Sequence, residues 1–139
     1  MTVLTNSLHI STEGNADSIN ITTHIADSVA NSGLKNGIVT LFTPSATSGL
    51  TTIEYESGCL SDFRRLMDEL ASPEKDYAHE ERWHDGNGHS HVRAALLGPS
   101  ISIPFVKQVL TLGTWQQIMF IDFDTHPRQR ELIVQIIGE

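Results

Sequence analysis

Within "GNGHSH", residues 86–91, two histidines stand one residue apart behind two glycines and an asparagine. If residues 89–94 run as a strand, side chains alternate between faces, so His89 and His91 point to one side and can reach one ion together. Two imidazoles make a weak site. Catalytic zinc takes three protein ligands and a water, and His79, inside "DYAHEE", is the nearest third donor. The alternative is a polar turn that holds imidazoles for solubility and hydrogen bonding, and spacing alone does not separate the two. His84 stays open between ligand and loop residue. His9, His24 and His126 fit no ligand pattern and read as surface or structural positions.

Other side chains could serve such a centre. Arg93 lies two residues past His91, on the same strand parity, where a guanidinium could meet a phosphate or carboxylate. Ser45, Thr47 and Ser48 occupy a glycine-containing turn whose hydroxyls and amides suit an anion, although such turns also serve as plain connectors. Glu54 sits in an otherwise apolar strand and is a candidate general base, or a partner that orients a histidine. Trp115 and Gln116 are candidate pocket walls. No nucleophile elbow, Gly-rich strand-to-helix turn or cysteine nucleophile context accompanies them.

These residues need a scaffold, and 139 residues suffice for one domain, 1–139, with a core that needs no staples. "SLHISTE" and "DSINIT" around "EGNAD" predict an opening hairpin. Ile25 and Val29, with Thr22 or Thr23 as cap and Gly33 as stop, predict a helix over about 23–33. "GIVTLFT" and "LTTIEYE" read as strands joined by the Ser45 turn. Leu60, Phe63, Leu66, Met67 and Leu70 predict a second helix that ends at Ser72-Pro73. Residues 73–90 read as a long polar loop. "HVRAALLG", "SISIPF", "QVLTLG", "TWQQIMFIDFD" and "RELIVQIIG" then read as sequential antiparallel strands.

The net charge of −8, from 9 Lys and Arg against 17 Asp and Glu, argues against a nucleic-acid partner, because phosphate backbones are bound by clustered cations. No stretch reaches the roughly 18 apolar residues of a membrane span, and the N-terminus lacks a basic start and an apolar leader. The single cysteine, Cys59, cannot close an intrachain disulfide, which is compatible with a reducing cytoplasm.

Taken in order, "NGIVTLFTPSATSGLTTIE", "DYAH", "NGHSHVRAALLG", "SISIP" and "LGTWQQIMFIDFD" resemble the YjbQ-type family, also called the secondary thiamine-phosphate synthase family. The resemblance implies an α+β fold in which a mixed, mostly antiparallel sheet curves into a half-barrel with two main helices. It also implies a cytoplasmic homotrimer with pockets near subunit interfaces. The implied activity is a weak synthase reaction, joining a pyrimidine diphosphate to a thiazole phosphate with release of pyrophosphate. Family metal ligands carry over as His79 and His91, and the basic position as Arg93. Many bacterial relatives have "HTS" or "HTT" in the turn where this chain has Ser45-Ala46-Thr47, so His89 looks like a replacement ligand.

The resulting expectation is a divalent metal, zinc or else magnesium, held by His79, His89 and His91. Arg93 and the Ser45–Ser48 turn would hold phosphate oxygens, and Glu54 would move a proton or orient a ligand. The partner is a small phosphorylated molecule. A zinc-dependent hydrolase and a non-enzymatic trimeric binding protein are the competing readings.

Overall fold

The computed structural model describes residues 1–139 as eight strands and four helices. In chain order these are β1 (Thr2–Thr12), β2 (Asp17–Asn20), α1 (Thr22–Asn31), β3 (Asn36–Phe42), β4 (Ser48–Ile53) and α2 (Ser57–Leu70). After them come α3 (Ala78–Trp83), α4 (Gly88–Leu97), β5 (Ser100–Val106), β6 (Val109–Leu110), β7 (Gln117–Asp122) and β8 (Arg128–Gly138). Five strands run in the order β1-β8-β3-β5-β6 and three in the order β2-β7-β4. Every pairing is antiparallel, so the expected mixed sheet contains no parallel pair. The result is an α+β fold whose antiparallel strands curve into a half-barrel. Helices α1 and α2 lie where the two main helices were expected, and α3 and α4 add to them.

Strand β7 explains why the core has two parts. Its alternate residues Ile118 and Phe120 enter a large cluster with Val39, Leu41, Val134 and Ile136, while Met119, Ile121 and Phe123 enter a smaller one with Met67 of α2 and Ala94 of α4. A strand buried on both faces reads as a near-continuous apolar run, and "IMFIDF" is one, interrupted only by Asp122. Helix α1 closes the large cluster with Ile25 and Val29, both fully buried.

Two expectations fail in instructive ways. The opening segments do not pair with each other: β1 pairs with β8 and β2 with β7, because each finds a longer or better-buried neighbour than a local hairpin provides. "HVRAALLG" is helix rather than strand, since Ala94, Ala95, Leu96 and Leu97 are strong helix formers and Ala94 meets the core at helical spacing from Ser90. The outward face of the five-stranded sheet is also unusual. Three cross-strand rows, Val3-Ile137-Ile38-Pro104, Thr5-Gln135-Thr40-Ser102 and Ser7-Ile133-Phe42-Ser100, hold no charged residue. No helix is long and apolar enough to cross a membrane.

Candidate functional site

The segment expected to be a loop is organised by one carboxylate. Helix α3 ends at His84, whose backbone takes the left-handed conformation with φ 51°. Glu80 then reaches across the turn: its Oε2 accepts the Gly86 N–H at 2.6 Å and its Oε1 accepts the Gly88 N–H at 2.7 Å. A negative group there satisfies unpaired amides at the start of α4 and complements the positive end of its dipole. Burial pushes the Glu80 carboxyl up, but those two amides and the neighbouring His79 outweigh it and hold it below the usual range. Gly88 has no substitute, because a Cβ at that position would lie 2.5 Å from Tyr77 Cβ.

This arrangement fixes His79. Its Nδ1 lies 3.5 Å from Glu80 Oε1 and 3.5 Å from Asp85 Oδ1, and the three donor atoms fall within 4.8 Å of one another. Nδ1 is buried without a hydrogen-bond partner, so both carboxylates are near enough for charge but not aligned as acceptors. The His91 ring stands 4.5 Å from the His79 ring, centroid to centroid, with a 36° tilt. The two rings therefore stack, while the donor atoms that gather around one point are those of His79, Glu80 and Asp85, two of them acids that sequence reasoning passed over.

His89 does not join them. In a helix, residues two apart point to nearly opposite sides, so the parity argument for His89 and His91 fails with the strand. His89 is buried, its ring 6.4 Å from that of Tyr77, and burial together with the Arg93 cation holds its pKa below the usual value. Arg93 turns the same way. Its Nε donates to Ala71 O at 2.9 Å and its Nη2 to Asp68 Oδ1 at 2.8 Å, so it ties α4 to the end of α2 and does not face His91. His84 is exposed and borders an open cleft with Lys75, Asp76 and Glu81, which Glu80 also lines.

Beside His91 a cavity of about 280 Å³ is lined by Ser45, Ala46 and Ser48, with Ala94 and Ala95 supplying small walls from α4. Of the three expected hydroxyls, that of Ser45 is the least engaged, with no bond shorter than 3.2 Å. Ser48 Oγ pairs with Thr43 Oγ1 at 2.8 Å, and Thr47 is drawn into a buried network. Thr47 Oγ1 accepts from Arg130 Nη2 at 2.8 Å and donates to Asp124 Oδ2 at 2.9 Å. Arg130 also donates to Asp122 through Nε at 2.7 Å and Nη2 at 3.0 Å, while Thr12 Oγ1 donates to Asp122 Oδ2 at 2.6 Å. Burial raises the Asp124 carboxyl, but the His126 N–H, the Thr47 hydroxyl and Arg128 outweigh it and bring it down to about 2. The signal for this network was available: two acids two apart in an apolar strand share a face, and buried carboxylates require partners.

Glu54, Trp115 and Gln116 lie elsewhere. Glu54 follows the end of β4 opposite Ser48, six residues away or roughly 20 Å along a strand. It is exposed, as is Trp115, and Gln116 Nε2 donates to Thr52 Oγ1 at 2.9 Å. Within one chain these three residues do not meet the histidines.

A family described as UPF0047 protein YjbQ-like matches residues 6–139. A UPF0047 protein of Methanothermobacter thermautotrophicus is 34% identical over 139 residues, covering 100% of this chain and 95% of its own. Among solved structures, a YbjQ-like protein of unknown function from Sulfolobus solfataricus P2 is 30% identical and superposes with a TM-score of 0.93 over 99% of each chain. A YjbQ/UPF0047 family protein from Clostridium acetobutylicum, described as the orthologue of YugU of Bacillus subtilis, is 34% identical with a TM-score of 0.87, over 95% of this chain and 99% of its own.

Proposed function

From the premise that this chain belongs to the YjbQ-like UPF0047 family, we propose that it binds a divalent metal ion at His79 and His91 and acts there on a small phosphorylated molecule. One observation carries the reading: a buried, unpartnered imidazole nitrogen, His79 Nδ1, with two carboxylate oxygens at 3.5 Å and a second imidazole stacked beside it. Nitrogen and oxygen donors together suit zinc, and the two carboxylates add the oxygen ligands that magnesium prefers. His79 and His91 are the nitrogen donors, Asp85 and Glu80 the oxygen donors. His89 and Arg93 play no part in this revised set.

A bound ion would neutralise charge building on a diphosphate leaving group. The chain supplies the rest. The Ser45 hydroxyl faces the cavity beside His91 and is placed to donate to a phosphate oxygen. Ala94 and Ala95 leave room for the ligand's organic part, and the low pKa of Glu80 keeps its carboxylate ionised near neutral pH. The reaction we assign is the thiamine-phosphate synthase type: a carbon–nitrogen bond forms between the pyrimidine methylene and the thiazole ring while the carbon–oxygen bond to diphosphate breaks. Two imidazoles with a carboxylate are equally the ligand set of hydrolytic zinc centres, which makes a zinc-dependent hydrolase the second reading.

The acting unit in this proposal is a cytoplasmic homotrimer. Its support is the three uncharged cross-strand rows on the outward face of the five-stranded sheet, since the centre of an interface is depleted in charged residues. The decisive experiment is elemental analysis of untagged protein purified without chelator, followed by incubation with pyrimidine diphosphate and thiazole phosphate. One ion per chain, lost in His79→Ala, together with thiamine phosphate formation supports the proposal. Protein without metal, or equal product from wild type and His79→Ala, rejects it.

A further inference from the structure

Arginine can only donate and an ionised carboxylate can only accept, so the Thr47 hydroxyl, held between Arg130 Nη2 and Asp124 Oδ2, has one permitted orientation. Thr47 is 6% exposed and Asp124 3%, so both groups are shielded from bulk solvent. The backbone of the same residue acts on its neighbour, because the Thr47 N–H donates to Ser45 Oγ at 3.2 Å. Ser45 Oγ therefore has one lone pair engaged, and its own proton finds only a long 3.4 Å contact with Thr47 Oγ1. That proton is the one left for a ligand in the His91 cavity. From above, Phe123 N–H donates to Thr47 O at 2.9 Å, and Ser90 Oγ of α4 donates to Phe123 O at 2.5 Å, so the turn and the helix that carry the two walls of the cavity are registered on one backbone segment.

We infer that Thr47, clamped by Arg130 and Asp124, is a positioning residue that aims the Ser45 hydroxyl into the His91 cavity; the inference rests on reading Ser45 as a phosphate contact. Thr47 was expected to touch the ligand itself, but its hydroxyl is spent on the clamp. Its influence on binding passes through Ser45.

The network contains its own control. Thr12 makes an equivalent buried bond to Asp122 Oδ2, from the side of β1 and away from the turn. Thr47→Val and Thr12→Val each remove a hydroxyl donor to a buried carboxylate at constant shape, Thr47→Val also the Arg130 acceptor, so a merely structural role predicts lost stability in both and no difference between them in phosphate affinity. The probe is inorganic phosphate, titrated by amide chemical shifts of Ser45 and Ala46, with hydrogen exchange of the Thr47 amide and urea unfolding measured on the same samples. Thr47→Val is expected to weaken phosphate binding by about tenfold, the worth of one good polar contact, and to expose the Thr47 amide to exchange. Thr12→Val should lose similar stability with wild-type affinity, and Thr47→Ser should restore both affinity and protection. Equal effects of the two valine variants on affinity and on Thr47 exchange, or no effect of either, overturn the clamp. If wild type shows no phosphate-dependent shift, the phosphate reading fails, and the exchange comparison alone still decides whether Thr47 positions the turn.

Discussion

Replacing Asp124 by asparagine removes a charge that the fold stabilises strongly. The carboxyl is lowered from 3.8 to about 2 although it is almost fully buried, because three donors converge on it. At about 1.4 kcal/mol per pH unit, that gap contributes about 2 kcal/mol of stability when the group is ionised. The folded value lies below the unfolded one, so the contribution is complete above about pH 5 and falls as pH drops through about 2. Linkage places about half of the loss by pH 3. Urea unfolding of wild type and Asp124→Asn at a series of pH values isolates this group, since all other acids are common to both proteins. The stability gap between them should narrow by about 1 kcal/mol between pH 6 and pH 3. A gap that stays constant over that range would falsify the assignment of Asp124 as an ionised, network-bound carboxylate.

His79→Ala should abolish metal retention while His89→Ala keeps the wild-type affinity and loses only stability. In competition titrations the affinity should fall by about two decades per pH unit below the imidazole pKa values, and a slope of three would return His89 to the site. Gly88→Ala should cost about 1–3 kcal/mol in urea unfolding, because its methyl group collides with Tyr77; unchanged stability would mean that the start of α4 is not tightly packed. Lys107 and Gln108 both hold positive φ, 51° and 65°, in the two-residue turn between β5 and β6. Lys107→Asn with Gln108→Gly should therefore stabilise by about 1 kcal/mol, read as a rise in Tm. Ile38→Lys, in the middle of the uncharged sheet face, should convert a trimer to monomer in light scattering, and a persistent trimer would place the interface elsewhere.

Periodicity carried the reading wherever an element answers to its own side chains. Val39 and Leu41 alternate inward in β3, Ile25 and Val29 share a helical face in α1, and Leu132, Val134 and Ile136 alternate inward in β8. It failed where a distant group decides. "HVRAALLG" is too short for its apolar pattern to choose between periods, and the carboxylate that caps the helix comes from Glu80, eight residues before Gly88. Once that segment is a helix, His89 and Arg93 turn inward and His91 faces His79. Two of the expected site residues, His89 and Arg93, thus left the site through a single change of period. Asp85 and Glu80 were passed over for a related reason: an acid in a polar loop looks solvated until the turn that gathers it is known. The partnerships of Thr47 with Asp124 and Arg130 span 77 and 83 residues, so the paired acids of "IDFD" signalled buried partners without naming them.

The pairing of β1 with β8 sets Thr2 opposite Gly138, so the first and last strands meet only after nearly the whole chain has been threaded between them. Closing so long a loop costs about 2 kcal/mol more chain entropy than closing one of ten residues. Contacts of that range form late in folding, so substitutions between β1 and β8 should chiefly accelerate unfolding. Strand β1 is also the edge of its sheet, held by one neighbour. When it peels away it uncovers β8, whose "LIVQIIG" joins high β propensity to an uncharged run, the kind of bare edge that recruits other chains into aggregates. The grip of β1 therefore governs the shelf life of this protein in concentrated solution, independently of anything that happens at the histidines.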